Sequence, residues 1–132
     1  MALTMPKKNR PQKKRVKAPE KFSGTHLVID LFGAEGLNSV LDVEKILKKC
    51  VDKCGAKLLY SHMHYLAENL GACGVLVLAG GHISIHSCPD TGYAALDIFM
   101  SGAAKPKKAI PIIKKEFKCQ SMEFHMVERG PQ

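Results

Sequence analysis

Between residues 74 and 102 the chain writes three strand-like runs with only short turns between them. "GVLVLAG" (74–80) is apolar throughout, "HISIHS" (82–87) alternates strictly, and "YAALDIFMSG" (93–102) is a further strand. The glycines at 80 and 81 and the turn signal "PDTG" (89–92) separate them. Turns this short join antiparallel strands, whereas parallel neighbours need a crossover of a dozen residues or more. These strands are therefore expected in a mostly antiparallel sheet. His82, Ser84 and His86 fall on one face of the middle strand of the three, a pattern that fits either a working site or a half-exposed strand.

The flanking segments extend the order. "THLVIDLFG" (25–33) is a β-rich run closed by glycine. "NSVLDVEKILKKCVDKCG" (38–55) carries Val40, Val43, Ile46, Leu47, Cys50, Val51 and Cys54 at helical spacing, with Asn38 or Ser39 to cap it and Gly55 to end it. Cys50 and Cys54 lie on that apolar face and read as core packing, not as metal ligands. "AKLLYSHMHYL" (56–66) reads as a strand followed by a turn at 68–71. A second helix is expected from Pro106 to Phe117, starting late or kinked because Pro111 would remove a helical hydrogen bond. "CQSMEFHMVER" (119–129) is a last strand. The order β-α-β-β-β-β-α-β predicts an α+β two-layer sandwich, a mostly antiparallel sheet with both helices on one face. The uncovered face then calls for a second copy of the chain, giving an αββα dimer.

The chain carries a net charge of +8, but residues 1–21 hold eight Lys/Arg against one acid, Glu20, so the body is nearly neutral. That Pro-rich basic tail, residues 1–23, is expected to be disordered, and residues 24–130 to form the single domain. A weak contact of the tail with nucleic acid is one expectation, though no aromatics interleave its charges. Five cysteines (Cys50, Cys54, Cys73, Cys88, Cys119) without a CxxC pair read as free thiols of a reducing cytoplasm. No apolar run reaches membrane-spanning length.

The central stretch "HISIHSCPDTGYAALDIFMSG" resembles the bacterial-type S-adenosylmethionine decarboxylases, whose hallmark is Glu-Ser-His, a hydrophobic-Ser-hydrophobic-His run, a Trp-Pro-Glu turn, Gly-Tyr-Ala-Ala and a strand ending Cys-Gly. "THLVIDLFG", "KCGAKLLYSHMHYL" and "GACGVLVLAG" resemble further strands of that family. The resemblance implies a self-generated pyruvoyl group: a serine hydroxyl attacks the preceding peptide carbonyl, and the resulting ester eliminates to leave the cofactor at a new chain end. It also implies S-adenosylmethionine as ligand and a place in spermidine synthesis.

Carried over residue by residue, the resemblance is incomplete. The Glu-Ser cleavage pair falls on Gly80 and Gly81, so the pyruvoyl-forming hydroxyl is absent and no cofactor is expected. The processing histidine falls on His86 and the processing serine on Cys73. The proton-donor cysteine falls on Ser101, a far poorer acid near neutral pH. The ribose-binding carboxylate falls on Asp90 and the Trp of its turn on Cys88. The adenine-stacking aromatic falls near Leu66, with Tyr65 next to it as a substitute. The leading expectation is a non-processing homologue, a homodimer or a mixed dimer with an active decarboxylase, that binds an adenosyl ligand.

Two other readings stay open. Ser84 or Ser87 could serve as a variant cleavage serine, with Cys88 as proton donor. Alternatively, His62, His64, His82 and His86 could cluster in a repurposed, pyruvoyl-free enzyme acting on S-adenosylmethionine. No metal ligands are assigned, because neither histidine spacing is a zinc motif.

Overall fold

A computed structural model of the chain describes residues 23–67 and 70–131. The basic tail and part of the turn at 68–71 lie outside the described residues. The order is β1 (Gly24–Phe32), α1 (Val40–Cys54), β2 (Leu58–Ala67), β3 (Gly71–Leu78), β4 (Gly81–Cys88), β5 (Tyr93–Ser101), α2 (Ala109–Glu116) and β6 (Ser121–Arg129). This is the α+β order that the sequence predicts.

Alternation decides what each strand buries. Leu27, Ile29 and Leu31 of β1, Leu76 and Leu78 of β3, Ile83 and Ile85 of β4, and Ala94, Leu96, Ile98 and Met100 of β5 all point toward the helices and are buried. The helices return the complementary stripe: Val43, Leu47, Cys50, Val51 and Cys54 from α1, Ala109 and Ile113 from α2, and Phe117 just beyond it. Cys50 and Cys54 are therefore core residues. Burial pushes the Cys50 thiol up to about 12 and that of Cys54 up to about 11, which keeps both protonated and inert.

The ends of α1 are written in its sequence. Ser39 is the N-cap, its Oγ accepting from the Asp42 amide at 3.2 Å. Gly55 closes the helix in the left-handed conformation, with φ of 76°. The second helix starts late, as Pro111 requires. A 3₁₀ turn at Pro106–Lys108 precedes α2, so Pro111 falls in the first turn, where its missing N–H would have had no helical partner.

The six strands lie in the order β2-β3-β4-β5-β1-β6, and every neighbouring pair is antiparallel. β2 to β5 form a meander, after which β1 is inserted between β5 and β6. The sequence predicts a mostly antiparallel sheet; among the described residues it is wholly so. Both helices cover one face and leave the other open.

Candidate functional site

The open face carries most of the polar side chains of the strands. Strand register lines up three rows across it. The first runs His64, Cys73, His86, Ala95, Asp30, Glu123; the second His62, Val75, Ser84, Asp97, Val28, His125; the third Tyr60, Val77, His82, Phe99, His26, Val127. All six histidines of the chain stand on this face. The alternation at 82–87 thus puts His82, Ser84 and His86 on the open face, among a few valines and aromatic rings.

The residues singled out by the motif fall into two groups. At one end of β4, Gly80 forms the turn from β3 and Gly81 opens the strand. Ser101 donates its Oγ–H to the Gly80 carbonyl at 2.8 Å, and its amide donates to the same oxygen at 3.1 Å. At the other end, Cys73 lies directly opposite His86 on neighbouring strands. Five residues of β4 separate Gly81 from His86, which at ~3.4 Å per residue is about 17 Å. The fold therefore joins Gly80 with Ser101, and Cys73 with His86, but holds the pairs apart within one chain.

The backbone around the glycines is tight. Gly80 has a φ of +88°, which disfavours any L side chain. A Cβ at position 81 would collide with the Phe99 carbonyl oxygen, and it would stand 2.9 Å from the Phe99 carbonyl carbon and 3.1 Å from the Met100 Cα. Both obstacles are backbone of β5, so no rotamer change relieves them.

The remaining expected residues scatter. Asp90 and Cys88 are exposed at the β4–β5 turn. Leu66 and Tyr65 are both half exposed near the end of β2, where Tyr65 pairs with Ala72 and the register becomes irregular. Ser84 faces the open side in mid-strand, opposite Val75 and Asp97. Ser87 faces the core, 7% exposed: its Oγ accepts from the Ala72 amide at 2.9 Å and lies 3.1 Å from the Ala72 carbonyl and 3.3 Å from that of Leu37. Ser87 is therefore a buried, hydrogen-bonded hydroxyl on the core side of β4.

The expected four-histidine cluster is not what the sheet assembles. His64 and His86 lie two strands apart in one row, while His62 and His82 lie in different rows. Instead His26 of β1 contacts the Asp97 carboxylate of β5 through Nε2, and His82 approaches them from β4. Tyr93 adds a second pair that sequence reasoning missed, donating to Asp30 Oδ1 at 2.6 Å. That bond holds the Tyr93 hydroxyl above its ordinary value, because the phenol proton is engaged by a carboxylate. The signal for both pairs was the alternation in "THLVIDLFG" and "YAALDIFMSG", which puts His26, Asp30, Tyr93 and Asp97 on one face once β1 is known to lie beside β5.

Comparison with known proteins fits this arrangement. The sequence profile of S-adenosylmethionine decarboxylase matches residues 25–130. The chain is 39% identical over 110 residues to the S-adenosylmethionine decarboxylase proenzyme of Methanococcus maripaludis, covering 81% of this chain and 89% of that one. It is 33% identical over 111 residues to the corresponding proenzyme of Thermomicrobium roseum, covering 83% and 96%. The crystal structure of the adenosylmethionine decarboxylase from Aquifex aeolicus superposes with a TM-score of 0.74 at 30% identity, over 85% of this chain and 94% of that one. No helix among the described residues is long and apolar enough to cross a membrane. On the profile, the relatives and the shared sheet together, the chain belongs to the S-adenosylmethionine decarboxylase family.

Proposed function

We propose that this chain is a member of its family that does not process itself, and that it binds S-adenosylmethionine or a related adenosyl ligand on the open face as one half of a dimer. The observation that carries the reading is the pair Gly80-Gly81. The pyruvoyl group needs a hydroxyl at position 81, and the residue there has no side chain. The β5 backbone leaves no room for one. The residues present do not fit the cofactor, so the remaining polar groups are left to bind, orient and hold protons.

The dimer follows from the open face and from the separation along β4. Half-exposed Val28, Phe32 and Val77 stand on that face among the histidines, and a second sheet laid on it would bury them. A two-fold axis lying between the two sheets, perpendicular to β4 and over its middle, would set the end of β4 that holds His86 and Cys73 in one copy over the end that holds Gly81 and Ser101 in the other. The same packing suits a partner that is an active decarboxylase, in which this chain supplies one end of the site. A reducing cytoplasm is consistent with the free thiols. Pairing with an active decarboxylase would place the chain in control of the aminopropyl supply for spermidine.

A second reading, cleavage before Ser84, has one observation in its favour: that hydroxyl faces the open side, opposite Asp97. The scissile peptide would lie in mid-strand between β3 and β5, where cleavage cuts an inner strand of the sheet.

Denaturing intact mass of freshly purified protein tests the proposal, followed by calorimetric titration with S-adenosylmethionine. The expected result is one species near 14.5 kDa that binds the ligand without turnover. Two fragments, the C-terminal one blocked by a ketoacyl end at Ser84 or Ser87, would overturn non-processing. An intact chain that neither binds the ligand nor pairs with itself or with a coexpressed active decarboxylase would overturn the rest.

A further inference from the structure

We propose that His26, His82 and Asp97 form a site for a divalent transition cation of the Zn²⁺ or Co²⁺ type on the open face of the sheet. This goes beyond the reading above and needs neither a pyruvoyl group nor an adenosyl ligand. The strand order builds the site. β4 and β1 flank β5, and register sets His82 and His26 level with Phe99 on either side of it. Asp97, two residues along β5, rises on the same face between them. Strands lie ~4.8 Å apart, so the two histidine backbones are about 9.6 Å apart, a gap that two imidazoles leaning over the middle strand can close.

They do close it. One ligand atom from each of the three side chains lies within 4.8 Å of the other two, and His26 and Asp97 are already in contact. Metal–nitrogen and metal–oxygen bonds of about 2.0–2.2 Å put adjacent ligands about 3 Å apart, so capture of a cation takes a side-chain torsion and no backbone movement. Phe99 keeps both imidazoles in place, with ring centroids 6.0 Å from His26 and 6.1 Å from His82. None of the three side chains is fully buried in the single chain, so a cation can reach them before a partner sheet covers the face.

The donor set selects the ion. Two imidazole nitrogens and one carboxylate suit zinc, cobalt, nickel or ferrous iron, whereas magnesium and calcium take all-oxygen surroundings. Three protein ligands leave coordination positions open toward the uncovered face, the pattern of a site that also holds water or a ligand heteroatom. The Arg129 guanidinium stacks over the Phe99 ring at 5.1 Å, and its charge tempers the affinity.

The test uses full-length protein stripped with chelator and titrated near neutral pH with Co²⁺ by visible absorption and with Zn²⁺ by calorimetry. One saturable site per chain is expected, with a cobalt d–d band. His82→Ala and Asp97→Asn should each weaken binding by about 100-fold or more. His62→Ala, on the same face in another row, should leave it unchanged, and circular dichroism should show all three variants folded. If His82→Ala fails to fold, the near-isosteric Asp97→Asn decides alone. Absence of saturable binding, binding that survives Asp97→Asn, loss on His62→Ala, or a near-ultraviolet thiolate-to-cobalt band would overturn the proposal.

Discussion

Position 81 illustrates how much one missing Cβ determines. The family motif asks for a serine there, yet the main chain has closed up around the glycine until the Phe99 carbonyl occupies the place where a side chain would begin. Restoring the hydroxyl does not restore the geometry. Gly81→Ser is expected to stay uncut and to lose roughly 1–3 kcal/mol of stability, the usual range for overpacking. Intact mass and a thermal melt check both halves, and any ketoacyl-blocked fragment would show the backbone more yielding than described. Single-residue chemistry was legible where it depended on identity and local spacing, as with the thiols of Cys50 and Cys54 on an apolar stripe. The face of Tyr65 was not legible, because an irregularity in pairing at Tyr65/Ala67 ends the regular register of β2 there.

Among the elements, α1 is fastened to β2 by a polar contact whose strength depends on pH. Ser61 Oγ donates to Glu44 Oε2 at 2.7 Å, while Lys48 lies 3.4 Å from the other carboxylate oxygen. The Ser61 bond, aided by Lys48, lowers the Glu44 carboxyl below its ordinary value. A folded-state value below the unfolded one means that the contact stabilises above the ordinary carboxylate range and is lost as pH falls through the folded value. Glu44→Gln should therefore melt slightly lower at pH 7, by no more than about 1 kcal/mol because the pair is near solvent, and the difference should shrink as acid protonates the carboxylate. Melting curves at pH 7 and in acid check the sign. The elements themselves were legible from alternation, helical spacing and turn residues. Their ends were less so: β3 begins at Gly71, where the apolar run had suggested 74, since pairing with β2 recruits residues without strand character of their own.

At the scale of the molecule, the open face is the feature that the fold leaves for something else to complete. If a second copy covers it, Val28→Lys, which puts an ammonium at the centre of the contact, should shift the solution mass from that of a dimer to about the 14.5 kDa of one chain. Light scattering on the variant and its parent reads this directly, and an unchanged dimer would move the interface elsewhere. The site was only half legible for a reason of the same scale. Residues close together in β4 announced themselves, but His26 and Asp97 are 71 residues apart and become neighbours only because β1 is threaded between β5 and β6. No local pattern reports a strand order.

That threading also bears on how the chain is born. The β2–β5 meander pairs each strand with the next in sequence and can form as it leaves the ribosome. β1, synthesised before it, has to wait unpaired until β5 arrives, and its other edge until β6 follows. Non-local pairings of this kind slow folding. β1, made before the meander, is thus among the last of the described strands to be enclosed, and during synthesis Leu27, Ile29 and Leu31 are the surface most in need of a chaperone.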